Sequence, residues 1–179
     1  MSETVKVRTE NIPMPPTTDV ERLLAAARET MAKVQDCWLA TPSQDGGISA
    51  RVVVPIPPVP GEEDWTIWFA THGSSRKAAE IRRAGRLTIG YQHHPDRAYV
   101  SLQGRAALIE DRSTVRKHWN EERFRLYFPG GPEDPKTIFV RISVDRIELC
   151  VNGVTPDPFG SRHSAIERDA DRLWKIVSN

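Results

Sequence analysis

The stretch THGSSRKAAEI, residues 71–81, has the pattern of a helix that begins with the wrong charges. Ser74 or Ser75 is suited to be its N-cap, and apolar residues follow at helical spacing. The first turn nevertheless contains Arg76 and Lys77, although a helix N-terminus carries partial positive charge and disfavours each cation by about 0.3–1 kcal/mol. The pattern predicts a helix whose first turn either binds an anion or extends two cations into solvent.

A cation from a neighbouring stretch favours the anion. Arg51 lies within the apolar run ISARVVVPI, residues 48–56, and a buried arginine requires a partner. The free backbone N–H groups after Gly73 add donors for a phosphate. If the strand passes beside the helix, four side chains converge on one phosphate: Arg51, Ser75, Arg76 and Lys77. The alternative is an exposed arginine on an edge strand.

Short runs with β propensity surround this helix, and turn residues separate them. The predicted strands are residues 37–43, 48–56, 64–71, 86–92, 98–111, 136–143 and 145–153. We expect the fifth strand to bend at Gly104, because glycine inside a long strand is typical of a bulge.

Helical periodicity occurs in three further places. One amphipathic helix is predicted from Thr18 or Asp19, and a short one from Ser113. A short C-terminal helix is predicted from the spacing of Ile166, Ala170, Leu173, Trp174 and Val177. Together, six or seven antiparallel strands with two or three peripheral helices predict a mainly β (α+β), barrel-like domain.

Length and proline content suggest the domain organisation. The chain has 179 residues, which suits one domain with a sizeable core. We expect a flexible arm at residues 1–17, the main domain at residues 18–153, and an extension at residues 154–179.

Composition excludes several classes of function. Lys and Arg total 25 against 24 Asp and Glu, so overall charge favours neither nucleic acid nor a membrane. Cys37 and Cys150 lie in apolar runs, which is typical of buried thiols in a reducing compartment. There is no signal-peptide pattern and no long apolar run. We expect a cytoplasmic protein.

Catalytic and metal-binding motifs are absent from the sequence. No Ser-His-Asp set, paired carboxylates or HExxH occurs, which argues against a hydrolase. His93 and His94 adjoin a turn and lack further ligands at metal-binding spacing, so we interpret them as a solvated loop. We expect neither a catalytic side chain nor a metal site.

Three segments resemble a known family. ISARVVVPI, IWFATHGSSRKAAEI and AYVSLQGRA, in this order and at these separations, resemble the FMN-binding split β-barrel of the pyridoxamine 5'-phosphate oxidase superfamily. The segment HWNEERFRLYFPGGPEDPKTIFVRISVDRIELCVN resembles its general stress protein branch. The similar segments span residues 20–152. This resemblance implies a homodimer with two flavin sites at the subunit interface, FMN as cofactor, and FAD as the alternative.

The resemblance also implies which residues contact the flavin. Val52 and Val53 would line it beside Arg51, while Ala70 and Thr71 would close over the ribityl chain and ring. The phosphate would bind Ser75, Arg76 and Lys77. Tyr99 stands where the oxidases have a flavin-contacting glutamine, and Gln103 is a second polar candidate on that strand.

Departures from the family pattern limit which properties of the family can be expected of this chain. Cys150 replaces an aromatic residue of the stress protein branch, which implies a differently filled pocket. Arg162 and His163 are the candidates for the oxidases' substrate-binding Arg and His, but their surroundings do not match. This mismatch argues against true pyridoxamine 5'-phosphate oxidase activity.

Three functions follow from the resemblance. The first is an FMN-dependent oxidoreductase acting on an unknown small molecule, with the hydride chemistry carried by the cofactor. The second is a stress-response protein that binds flavin without turnover. The third is a split barrel that binds a deazaflavin.

Overall fold

The computed structural model describes residues 19–56 and 61–178, and its largest element is an antiparallel sheet of eight strands. The helices are α1 (Asp19–Ala32), α2 (Arg76–Ala84), α3 (Arg112–His118) and α4 (Glu121–Phe124). The strands are β1 (Cys37–Pro42), β2 (Ile48–Val53), β3 (Thr66–His72), β4 (Arg86–His93), β5 (Ala98–Ile109), β6 (Thr137–Val151), β7 (Ser164–Arg168) and β8 (Trp174–Val177). The expected arm at residues 1–17 lies outside the described residues.

Strand β6 organises the sheet because it pairs along both of its edges. One edge pairs with β5 over most of its length. The other edge pairs with β3 in its first half and with β7 in its second half. Strands β4, β1 and β2 continue the sheet beyond β5, and β8 continues it beyond β7. The open, mostly antiparallel arrangement confirms the predicted split β-barrel, with eight strands where six or seven were expected.

The bend predicted at Gly104 is confirmed. The register between β5 and β6 shifts between Gln103 and Gly104. A Cβ atom on Gly104 would collide with the backbone carbonyl of Ser143, so the two strands approach too closely for a side chain. Glycine therefore lets β5 change direction and pair with β6 on both sides of the bulge.

Two apolar cores occupy opposite faces of the central strands. The larger core lies inside the barrel, where α1 and α2 contribute Leu23, Ala27 and Ile81. The smaller core lies on the other side of β3 and β6 and includes Trp68 and Phe139. Helices α3 and α4 cover this second core.

The C-terminal prediction is wrong, because residues 164–168 and 174–177 form strands instead of a helix. Ile166 is fully buried opposite Ile147 of β6, which gives β7 an apolar partner. The ring of Trp174 makes an edge contact with Trp65 at a centroid distance of 5.8 Å. Available sheet edge and core contacts thus override the apparent helical spacing.

Two smaller boundaries also differ from the predictions. The two strands expected at residues 136–143 and 145–153 are one continuous strand, β6, since β5 pairs with both halves. Helix α3 begins at Arg112 with Asp111 as its N-cap, ahead of the expected Ser113, because the Asp111 carboxylate accepts a hydrogen bond from the Thr114 N–H at 2.8 Å.

The cysteines are free and buried, as their apolar contexts predicted. Burial raises the pKa of the Cys37 thiol to about 12, so this group stays protonated and unreactive near neutral pH. Within the described ranges, no helix is long and apolar enough to cross a membrane.

Candidate functional site

The start of α2 has the geometry that the sequence predicted. Ser75 is the N-cap, and its hydroxyl accepts a hydrogen bond from the Ala78 N–H at 3.3 Å. The Thr71 hydroxyl lies 3.1 Å from the same oxygen. Gly85 ends the helix in the left-handed conformation, at φ 64°. The end of β3 and the first turn of α2 therefore form one hydrogen-bonded unit.

Lys77 is a half-buried cation beside another cation. Burial lowers the pKa of its ammonium group, and the positive charge of Arg51 lowers it further. Among residues 19–56 and 61–178, no carboxylate forms an ion pair with Lys77. A nearby anion would offset both unfavourable effects, so this environment favours binding of a negatively charged group.

Glu80 is the residue that connects α2 to the β1–β2 hairpin. Its carboxylate is buried and lies 2.6 Å from a guanidinium nitrogen of Arg51. The hydroxyls of Thr41 and Ser49 donate to it at 2.6 and 2.8 Å. Arg76 Nε lies 3.7 Å from its Oε1 atom. Glu80 therefore links Arg51 of β2 to Arg76 in the first turn of α2 through one negative charge.

The environment of Glu80 keeps it ionised. Its pKa is lowered to about 2, above all by the hydrogen bond from Thr41, with Ser49 and Arg51 adding to this effect and burial opposing it. The sequence pattern alone does not point to this residue. The spacing of four residues from Arg76 to Glu80 indicates an ion pair on a helix, but it does not reveal that the carboxylate is buried against β1 and β2.

The sheet register divides the predicted flavin residues between two faces. Arg51 pairs with Leu39, and Leu39 pairs with Ile89, both of which are fully buried inside the barrel. Because directly paired residues project to the same side, Arg51 belongs to the inner face. Val53 shares that face and is buried, while Val52 is 51% exposed on the outer face.

The remaining predicted residues separate in the same way. Thr71 is buried at the start of α2, and Ala70 packs against the smaller core. Tyr99 and Gln103 alternate with the buried residues Val100 and Leu102, so they lie on the outer face of β5. The structure thus brings Arg51, Thr71, Ser75, Arg76 and Lys77 together within one subunit, but it does not bring Tyr99 or Gln103 to them.

An open groove runs along the outer face. It has a volume of about 260 Å³, and its lining includes Trp38, Tyr99, Cys150 and His163. Trp38 is 56% exposed beside Val52, its partner in the β1–β2 register. Cys150 therefore lies beside Tyr99, with which it pairs directly, and on the opposite face of the sheet from Arg51. Arg162 is exposed in the loop that precedes β7.

The described residues contain no group of three or more His, Cys, Asp or Glu side chains placed to hold a metal ion. The site near α2 consists instead of cations, hydroxyls and backbone donors around the carboxylate of Glu80. Cations, hydroxyls and backbone donors of this kind bind oxyanions such as phosphate.

Solved structures share this fold. A protein from Clostridium acetobutylicum related to general stress protein 26 matches with a TM-score of 0.67 at 12% identity, covering 84% of this chain and 96% of that one. An FMN-binding protein from Nostoc punctiforme related to pyridoxamine 5'-phosphate oxidase matches with a TM-score of 0.60 at 16% identity, covering 88% and 95%. PhzG from Burkholderia lata, solved with tetrahydrophenazine-1-carboxylic acid, matches with a TM-score of 0.63 at 22% identity, covering 91% and 92%.

Sequence comparisons find a partial curated relative and a matching family model. Protein bli-3 of Neurospora crassa is 27% identical over 84 residues, which cover 42% of this chain and only 40% of that curated relative. The family model described as pyridoxamine 5'-phosphate oxidase like matches residues 24–152, a range that contains every residue predicted to contact the flavin. The chain belongs to the pyridoxamine 5'-phosphate oxidase-like family.

Proposed function

We propose that this protein binds FMN with the flavin phosphate at the start of α2, and that it acts as an FMN-dependent oxidoreductase on a small molecule. The observation that carries the proposal is Lys77, a half-buried ammonium group close to Arg51 with no carboxylate partner among the described residues. A phosphate dianion would pair with this charge and accept hydrogen bonds from the free N–H groups of the first helical turn.

The residues present fit a flavin phosphate. Lys77 would supply a point charge, and Arg76 a guanidinium whose side chain is 75% exposed and lies 3.7 Å from Glu80. Ser75 and Thr71 would add hydroxyls. Val53 would offer an apolar wall on the neighbouring strand. When bound, FMN would supply hydride transfer at its ring, while these side chains fix its position and limit the access of water.

We further propose that the functional unit is a homodimer. Tyr99 and Gln103 lie on the outer face. They could contact a flavin only if that flavin were bound at α2 of a second copy of the chain. The exposed apolar side chains Trp38, Ile48 and Val52 lie on the same outer face of β1 and β2. A surface of this kind is typical of a subunit interface.

A titration tests the cofactor proposal. Purified full-length protein is titrated with FMN, riboflavin, FAD and a deazaflavin, and binding is followed through flavin fluorescence. We expect FMN to bind much more tightly than riboflavin, since only FMN carries a phosphate monoester. Equal affinity for FMN and riboflavin would contradict a phosphate site at α2.

A second assay tests turnover. The FMN-loaded protein is reduced anaerobically by a nicotinamide nucleotide and mixed with a panel of electron acceptors. We expect at least one acceptor to be reduced faster than by an equal concentration of free FMN. If none is, the protein binds flavin without catalysing its oxidation.

A further inference from the structure

One carboxylate already occupies two of the cations assigned to the phosphate. Glu80 Oε2 lies 2.6 Å from a guanidinium nitrogen of Arg51, and Glu80 Oε1 lies 3.7 Å from Arg76 Nε. Lys77, by contrast, pairs with no carboxylate of residues 19–56 and 61–178. An arriving phosphate therefore meets one free cation and two that are shared with an internal anion.

Glu80 cannot easily withdraw from this position. Its side chain is only 6% exposed, and the hydroxyls of Thr41 and Ser49 hold both of its oxygens. It projects from α2, the same helix that presents Arg76 and Lys77. The helix and the hairpin therefore fix a negative charge beside the place where the ligand phosphate would bind.

We propose that Glu80 determines the affinity of the site: its carboxylate competes with the ligand phosphate for Arg51 and Arg76, so that FMN is an exchangeable ligand. This inference rests on the proposed position of the flavin phosphate. Two negative charges that share the same guanidinium groups repel each other, and each weakens the other's hydrogen bonds. The family's common use of flavin does not by itself require such an internal competitor.

The substitution Glu80→Gln tests the proposal because glutamine keeps the shape of the side chain and removes its charge. We expect the Kd for FMN to fall roughly tenfold, the change that corresponds to one unit charge removed a few ångströms from the ligand. The Kd for riboflavin should stay unchanged, since riboflavin has no phosphate. FMN should also dissociate more slowly from the variant, which stopped-flow displacement by excess riboflavin would measure.

The E80Q variant should be less stable than the unchanged protein when no flavin is bound. Arg51 loses its buried partner, so the melting temperature of the flavin-free E80Q variant should fall. The increase in melting temperature on adding FMN should be larger than for the unchanged protein. A lower melting temperature without flavin, together with a larger increase on adding FMN, would distinguish competition from simple loss of packing.

A matched control comes from the other end of the same helix. Glu110 pairs with Arg82 of α2 at 3.4 Å, and both side chains are more than half exposed. Glu110→Gln changes the net charge of the protein as E80Q does, but it should leave the Kd for FMN unchanged. A fall in Kd in both variants would mean that overall charge, not local competition, sets the affinity.

Two results would overturn the proposal. If E80Q binds FMN as weakly as the unchanged protein, or more weakly, Glu80 positions Arg51 instead of competing for it. If E80Q does not fold, Glu80→Asp keeps the charge but shortens its reach to Arg51, and we expect FMN to bind about threefold more tightly; unchanged or weaker binding then refutes competition. Failure of the FMN site itself is recognised separately, as equal FMN and riboflavin affinity in the unchanged protein.

Discussion

Lys77 and Arg76 should supply most of the difference in affinity between FMN and riboflavin. Because charge-assisted hydrogen bonds contribute about 1.5–3 kcal/mol each, Arg76→Ala combined with Lys77→Ala should raise the Kd for FMN by at least about 100-fold. The Kd for riboflavin should change little. Arg82→Ala is the control, since it removes a cation from the last turn of the same helix. Equal losses for both ligands would show that the phosphate binds elsewhere.

His118 should make the fold sensitive to acid. The side chain is only 1% exposed, stacks on Trp68 at a centroid distance of 3.9 Å, and lies 3.2 Å from Glu62. Its Nδ1 atom is buried without a hydrogen-bond partner. Burial lowers its pKa, Lys117 adds to this effect, and Glu62 opposes it. The imidazole is therefore neutral in the folded protein near pH 7.

The sign of this effect follows from proton uptake. Below the ordinary histidine pKa of 6.5, the unfolded chain binds a proton that the folded protein binds less readily. The free energy of unfolding should therefore decrease as the pH falls below this value. As the pH is lowered from about 8 to about 5, the melting temperature should fall more steeply for the unchanged protein than for His118→Gln. Identical slopes would assign the acid sensitivity to other groups.

At the level of single residues, the sequence was informative where the signal is local. Ser75, one of the two serines predicted as the N-cap of this helix, follows from residue type and spacing, and the structure has it there. Glu80 was missed because its role depends on Thr41 and Ser49, which lie on strands far away in sequence. A helical pattern shows which residues share a helix face, but it does not show which strand covers that face.

The bulge in β5 is the element on which the sheet depends. Gly104→Ala should lower the free energy of unfolding by about 1–3 kcal/mol, because the new methyl group meets the backbone of Ser143. Gly90→Ala is a matched control in β4, where a Cβ atom would meet Trp38 only at ordinary contact distances of 3.9–4.0 Å. Urea unfolding of the two variants measures the difference. Equal changes in the free energy of unfolding would show that the collision with Ser143 does not explain Gly104.

The C-terminal extension shows why some elements could not be predicted. The spacing from Leu173 to Val177 suits a helix, yet β8 forms because β7 offers it a free edge. Trp174 then packs on Trp65, and the guanidinium of Arg168 lies over the Trp174 ring at 5.0 Å. Elements stabilised by distant partners leave weak local signals, whereas β3 and α2 carry strong signals of their own.

At the scale of the whole molecule, the exposed apolar residues of β1 and β2 test the dimer. Trp38→Asp should separate the subunits, because it places a charge in the centre of the proposed interface. Light scattering after size-exclusion chromatography measures the mass. The variant should also bind FMN less tightly although its own α2 is unchanged. A monomeric unchanged protein with full FMN affinity would contradict the dimer.

Mixed dimers provide the sharpest test, because each site is proposed to combine α2 of one copy with Tyr99 and Gln103 of the other. One variant carries Arg76→Ala and Lys77→Ala, and a second carries Tyr99→Ala and Gln103→Ala; each alone should bind FMN weakly. After subunit exchange, half of the dimers are mixed and each contains one complete site, so tight binding should return at about a quarter of all sites. Two affinity tags isolate the mixed dimers for FMN titration. If these dimers form but show no tight site, then Tyr99 and Gln103 do not complete the partner's flavin site.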